Sequence, residues 1–222
     1  MSSDIIIRDN HVTAFGIPFF RANAPSLSIG FAGDKEEPLF GQNYITSEDR
    51  VPAAKLKIRK AFTLSLASTD VTDKDIGLSI TVPKLGSLSA GETSKQLRNE
   101  TLKLVQFEIF PKDLVDAANA SPGVLDTLKR IGNDGRLVHK IIVAMDAKTA
   151  TSVTGAATLD VTATVAGVAI SAGAGSSGTS FGSVDLSRCT FAYLLLKPKW
   201  DASMNKNWKR IVDWEEDRWS LG

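Results

Sequence analysis

Val153-Thr154-Gly155-Ala156-Ala157-Thr158-Leu159-Asp160-Val161-Thr162-Ala163-Thr164-Val165 is the stretch on which the reading of this chain turns. Val153, Gly155, Ala157, Leu159, Val161, Ala163 and Val165 fall on one side of a period-two pattern, and threonines, alanines and Asp160 fall on the other. Successive side chains of a strand point to opposite faces, so the alternation predicts a single β-strand with one weakly apolar face. It is longer than the usual strand of about 5–6 residues. It also exceeds the roughly 9–11 residues that a tilted strand needs to cross a bilayer. A Gly/Ser-rich segment, Gly173 to Gly182, follows, and a second alternating run returns from Val184 to Leu196. Such a hairpin fits two architectures: half-buried strands of a soluble sandwich, or the building unit of a transmembrane β-barrel.

Composition narrows the classes. The chain has 222 residues, 43% hydrophobic and 23% charged, as an ordinary folded protein has. Its formal net charge of +1 gives no global attraction to nucleic acid, so electrostatic targeting must come from local clusters. Cys189 is the only cysteine; an intramolecular disulfide is excluded, which fits a reducing compartment. Ile5–Ile7 is too short for a secretory h-region and runs straight into Arg8 and Asp9. No stretch of about 18 apolar residues is present, so no transmembrane helix is expected. The expectation is a cytoplasmic protein; if it enters a membrane, it does so as β-structure after folding.

Outward from the central run, residues 1–50 read as irregular β, with Ile5–Ile7, Ala14–Phe20 and Leu27–Phe31 punctuated by Asn, Pro and Gly. A charged loop, Gly33 to Gly41, carries the apolar tip Leu39 and Phe40. Residues 54–82 read as another long hairpin, in which Leu56, Ile58, Phe62, Leu64 and Leu66 alternate outward and Ile76, Leu78, Ile80 and Val82 return. Lys55, Lys57, Arg59 and Lys60 crowd its start. Pro83 to Thr93 reads as a connection, and Glu100–Phe110 as a strand. Pro111 precedes a helix over 112–119, and Ser121-Pro122 opens a second, with Val124, Leu125, Leu128 and Ile131 at helical spacing and Gly132 as its stop. Asn205–Ser220 reads as a terminal helix with Trp208, Ile211, Val212 and Trp219 on one face. The class is therefore α+β, a twisted and mostly antiparallel sheet with flanking short helices. Residues 1–200 form one domain, and 201–222 an amphipathic helical tail.

Signals for catalysis are thin. His11 and His139 are far apart, and no CxxC, HExxH, GxSxG or P-loop spacing occurs. The glycines of 173–178 come without a lysine and join antiparallel strands, so nucleotide binding is not expected. The basic run 55–60 lacks an aromatic stacking platform, so nucleic acid is not expected either. No metal, cofactor or enzymatic activity is predicted.

The order of segments is similar to that of a known family. Thr101 to Ile109 followed by Pro111-Lys112-Asp113-Leu114 resembles the strand-then-helix passage of the gasdermin pore-forming domain. Gly123 to Leu128 with Gly135 resembles its short glycine-ended helix. Leu137–Met145 and Cys189–Leu196, running into Lys199-Trp200-Asp201, resemble the strands that open and close its second membrane hairpin. Leu39 to Tyr44 looks like its aromatic-tipped first hairpin. The resemblance covers roughly residues 25–201 and rests on order and spacing. It is greatest to short fungal members that lack the C-terminal repressor domain of animal gasdermins. The N-terminal cysteine used for lipidation in bacterial members is absent here.

What the resemblance implies is a regulated-cell-death effector of the pyroptosis and allorecognition (heterokaryon incompatibility) kind. It would be cytoplasmic when inactive and at the plasma membrane when active. It would bind acidic phospholipids and self-associate into a large ring, triggered by a divergent allelic homologue rather than by proteolysis. Its membrane hairpins would lie near 54–109 and 137–196. Lys55, Lys57, Arg59 and Lys60, a second set of Lys129, Arg130, Arg136 and Lys140, and the foothold Leu39 and Phe40 are the expected lipid contacts. Val153, Ala157, Leu159, Val161, Ala163 and Val165 are the expected lipid-facing side chains. The competing expectation is a soluble β-rich structural or adhesion module with no membrane activity, in which the long hairpin is a stiff arm.

Overall fold

The computed structural model describes residues 5–38, 44–64, 71–77, 79–156, 158–164, 167–172, 182–201 and 208–220. Its strands are β1 Ile5–Ile7, β2 His11–Ala14, β3 Ile17–Phe20, β4 Phe31–Glu36, β5 Tyr44–Arg50, β6 Arg59–Leu64, β7 Ile80–Val82, β8 Gly86–Leu88, β9 Leu102–Glu108, β10 Gly135–Asp146, β11 Leu159–Ala163, β12 Val168–Ala172, β13 Val184–Asp185, β14 Thr190–Trp200 and β15 Ile211–Asp217. The helices are α1 Asp73–Ile76, α2 Ala90–Arg98, α3 Pro111–Asn119, α4 Pro122–Ile131 and α5 Ala147–Gly155. Among the described residues every strand pair is antiparallel, so the class is α+β with a mostly antiparallel sheet.

The spine is the pair β10–β14, in which Leu137 faces Leu196 and Val143 faces Thr190. Around it a ten-stranded sheet runs β1-β2-β3-β14-β10-β4-β5, with β15 on the far half of β14 and β9, then β6, on the far half of β10. Both spine strands are buried along nearly their whole length, because apolar layers cover both faces. On one side Ile141, Val143, Tyr193 and Leu195 pack with α3, α4, α5 and a small three-stranded sheet, β11-β12-β13. On the other, Ile142, Ala144, Phe191 and Leu194 pack with β1, α1, α2 and β7. Strands covered on both sides read as continuous apolar runs rather than alternating ones, as Leu194-Leu195-Leu196 does.

Local chemistry explains the helices. Ser89 and Glu92 form a reciprocal capping box that starts α2, a signal inside the stretch expected to be a connection. Pro111 and Pro122 open α3 and α4. Gly132, at φ 85°, ends α4 as expected. Ser121 stands at the N-cap without capping, because its hydroxyl donates to Ala117 O at 2.8 Å.

Several expectations are corrected. Val153–Val165 is not one strand: its first part belongs to α5, and among its described residues only Leu159–Ala163 is strand. Residues 54–82 do not pair as a hairpin: β6 pairs with β9, and β7 with β8. Leu27–Phe31 is not a strand; β4 begins only at Phe31. The tail is not a helix, because Ile211–Asp217 is a strand on β14 in the main sheet. An open strand edge offers backbone partners that outweigh a weak helical pattern. The tail tryptophans are used in packing: Trp208 stacks on Trp200 with centroids 5.2 Å apart, and Trp219 stacks on His11 at 4.1 Å.

Candidate functional site

The segment between the two spine strands, residues 147–189, is built differently from the rest. Helix α5 begins at Asp146, whose carboxylate accepts from Thr149 N at 2.9 Å. Within it the hydroxyls of Thr151, Ser152 and Thr154 donate back to the carbonyls of Ala147, Lys148 and Ala150 at 2.9, 3.0 and 2.8 Å. Thr, Ser, Val and Gly are poor helix formers, and together they leave α5 about 4 kcal/mol less favourable than an alanine helix. Its packing is also light. Only Ala150 and Val153 join the apolar core, with Thr149 buried beside them, against β6, β9 and β10. The sequence of α5 is strand-like, and tertiary contact holds it as a helix.

After α5 the chain enters β11–β12, in which Leu159 faces Ala172 and Ala163 faces Val168. Leu159 and Val161 turn partly inward onto the core, Val168 and Ile170 lie in it, and Asp160, Thr162 and Ala163 face solvent. The side expected to be apolar is therefore the inward one, except at Ala163. Val153 is corrected to a buried helix position. Ala157 and Val165 lie outside the described residues.

The tip of this hairpin is fastened by Arg50, which the sequence did not single out. Its Nη1 donates to Thr164 O at 3.0 Å and to Gly167 O at 2.9 Å. Gly167 also lies tight against Ser28: a β-carbon there would sit 2.9 Å from the Ser28 side chain. No sequence pattern ties Arg50 to residues more than a hundred positions on; the pairing is purely tertiary.

The basic residues divide into three places. Lys55, Lys57 and Arg59 are exposed along the stretch that leads from a short 3-10 turn, Ala53–Lys55, into β6. Lys55 Nζ donates to Ala120 O and to Ser121 Oγ. Lys57 and Arg59 both reach Asp113, at 3.4 and 3.9 Å, and the Arg59 guanidinium sits 3.8 Å over the exposed Phe110 ring. The side chain of Lys60, and Leu39 and Phe40 altogether, lie outside what is described. Lys129 and Arg130 lie on α4 and pair with Asp126, at 3.8 Å, and Glu48.

Arg136 and Lys140 are elsewhere again, and their assignment as free lipid contacts is corrected. Arg136 is buried, with Nε 2.6 Å from Asp217 and Nη1 donating to Asn133 O at 2.7 Å. Lys140 pairs with Glu216 at 3.2 Å. Lys35 also meets Asp217, at 3.1 Å. The acidic strand β15 thus answers cations of β4 and β10, and their charge is spent inside the fold. Beneath it His139 is fully buried, with Glu216 Oε2 3.6 Å away and neither ring nitrogen in a hydrogen bond of ordinary geometry. Burial first, and then the Lys140 charge, pull the imidazole down to about 3, against the opposing Glu216 carboxylate.

Among the described residues no group of three or more His, Cys, Asp or Glu is placed to hold a metal ion, and no helix is long and apolar enough to cross a membrane. Comparison with protein-family models, curated proteins and solved structures gives no match.

Proposed function

We propose that this protein is a pore-forming cell-death effector that binds acidic lipid, oligomerises and crosses the plasma membrane with the region between β10 and β14. The observation that carries this reading is the disagreement at α5, where a strand-type sequence is held as a lightly packed helix. Released from its two core side chains, it has a strand to become.

The phase of the two existing pairings supports the same idea. In β10–β14 Val143 faces Thr190, and in β11–β12 Val161 faces Ile170. Beyond the bulge between Ile142 and Val143 the β10–β14 register sets odd residues against even ones, as β11–β12 does, whereas Lys140 to Ile142, between two register shifts, pair with like parity. One long hairpin leaving from the Val143 end joins the two pairings without turning a face over. β10 and β14 stay in the sheet as its root, and the crossing part lies beyond them. Its lipid side would carry Gly155, Leu159, Val161, Ala163, Val168 and Ile170. Its other side would carry Thr154, Thr158, Asp160, Thr162 and Ser171. Leu159, Val161, Val168 and Ile170 already face apolar surroundings, so their transfer exchanges one apolar environment for another.

An isolated hairpin in hydrocarbon leaves edge N–H and C=O groups unpaired, at several kcal/mol each. Closure with neighbouring copies removes those edges. Insertion and assembly are therefore one step in this proposal. Lys55, Lys57 and Arg59 contribute about 1 kcal/mol each toward an anionic leaflet, enough for reversible docking. The resemblance to short fungal gasdermins adds a divergent allelic partner as the trigger.

Dye-loaded vesicles test the reading. With phosphatidylserine or cardiolipin the protein, alone or mixed with a divergent homologue, should release dye and form annular particles, while phosphatidylcholine vesicles stay sealed. Intact vesicles under every one of these conditions overturn it.

A further inference from the structure

A groove of about 560 Å³ opens where the start of β6 meets the end of α5. Leu56, Lys57, Ile58 and Arg59 line it from the chain that enters β6, and Ala156, Thr158 and Leu159 line it from the α5–β11 side; Leu56 and Ile58 are buried, and Lys57 and Arg59 are exposed. The volume lies within the roughly 300–1,000 Å³ of small-molecule sites. The pattern Leu56-Lys57-Ile58-Arg59 turns alternate residues down into the fold and up to solvent, giving the groove an apolar floor beneath a cationic rim. The Lys57 and Arg59 side chains are 71% and 52% exposed and share the single carboxylate of Asp113. Their charge is thus only partly answered by the protein.

We infer that this groove binds one anionic amphiphile, with its acyl chain along Leu56, Ile58 and Leu159 and its anionic head between Lys57 and Arg59. An uncharged apolar ligand would leave the two cations unused, and a compact anion would leave the floor wet. The chemistry of floor and rim together selects a chain with an anionic end. The inference rests on the membrane reading for the biological source of that ligand, but its binding is a property of the monomer in water. An occupant would also lie against both the fixed β6 and the α5–β11 junction, so lipid capture and release of the crossing segment share one place.

Isothermal titration of the full-length monomer with decanoate, below its micelle concentration, tests this. One site should saturate, and decylammonium and hexanoate should each bind at least tenfold more weakly. Thr158→Trp, at an exposed position, should weaken decanoate binding at least tenfold with an unchanged circular dichroism spectrum. The double variant Lys57→Gln/Arg59→Gln should abolish the preference over decylammonium. A parallel titration with monodecyl phosphate separates a phospholipid headgroup, which binds tighter, from a free fatty acid, which does not. No saturable decanoate site, equal binding of decylammonium, or full binding by Thr158→Trp overturns the inference. A binding monomer that leaves anionic vesicles sealed refutes the pore reading and leaves the pocket standing.

Discussion

Gly155→Arg acts with opposite sign on the two states that the proposed function requires. In the folded chain Gly155 closes α5, and a β-carbon built there meets nothing within 4 Å. Replacing a helical glycine gains about 0.5–1 kcal/mol, and a cation in the last turn adds about 0.3–1 kcal/mol through the helix dipole. The folded monomer should therefore gain 1 kcal/mol or slightly more, a rise of about 2–4 °C in Tm. In the inserted hairpin the same residue is on the lipid side, where an arginine near the midplane costs about 2–4 kcal/mol. The two effects together oppose insertion by about 3–6 kcal/mol per subunit, and each 1.4 kcal/mol is a factor of ten. Dye release from phosphatidylserine vesicles should need a far higher dose of the variant, at least a hundredfold, while its thermal melt moves up. Thr162→Arg is the control: also exposed and outside the groove lining, it falls on the opposite side of the hairpin, which lines water, and should release dye near the wild-type dose. Wild-type release by Gly155→Arg, or equal loss in both variants, refutes the assignment of faces.

Arg50→Gln removes the charged donor from Thr164 O and Gly167 O. Hydrogen bonds from a charged group contribute about 1.5–3 kcal/mol, so Tm should fall by several degrees, and anionic vesicles should leak at a lower dose than with wild type. A lower Tm with unchanged leakage would leave Arg50 a purely structural clamp. His139 gives a pH test. Its imidazole titrates at about 3 when folded, against 6.5 ordinarily, so below 6.5 the unfolded chain takes up a proton that the folded chain refuses. Stability is intact above that pH and declines through the window down to 3, by about 1.4 kcal/mol per unit. Glu216, held below its ordinary 4.5, adds to the loss only nearer that value. His11, held below 6.5 by burial and then by the Arg8 charge, adds within the same window, so the difference in urea unfolding between wild type and a His139 variant from pH 6.5 to 5 isolates His139. His139→Leu should flatten that decline. It should also raise the midpoint at pH 7, because two unpartnered buried nitrogens disappear at about 1–3 kcal/mol each. An unchanged acid slope defeats the account.

Legibility in the sequence followed the range of the forces involved. Where the deciding interaction is local, the residues announced it: Pro111 and Pro122 opened helices, Gly132 closed one, and the apolar run to Leu196 became a buried strand. The capping box of Ser89 and Glu92 is equally local, but it sits inside a Gly/Ser-containing stretch whose composition reads as a connection. Where the deciding interaction is distant, the pattern misled. Trp208, Ile211, Val212 and Trp219 share a helical face, yet the open edge of β14 and the cations of Arg136 and Lys140 draw 211–217 into a strand. The same long-range pairing removed Arg136 and Lys140 from the set of free cations. The grouping of Lys55, Lys57 and Arg59 survived because it depends on adjacency alone.

The run Val153–Val165 belongs to neither case. Its alternation predicts one strand, and the folded chain places its first part in a helix instead. A helix of nine residues is marginal in isolation, and this one lacks the propensity to help itself. What sustains α5 is the cap at Asp146 and the burial of Ala150 and Val153, the latter contributing about 1.5–3 kcal/mol for the valine. That burial is lost if the helix lifts from β6, β9 and β10. A sequence whose local preference opposes its folded conformation departs from the usual consistency between levels, and such departures concentrate where a protein does something. In the proposed function the helix describes the chain in water, and the strand pattern describes where it would go once β11–β12 is freed from Arg50.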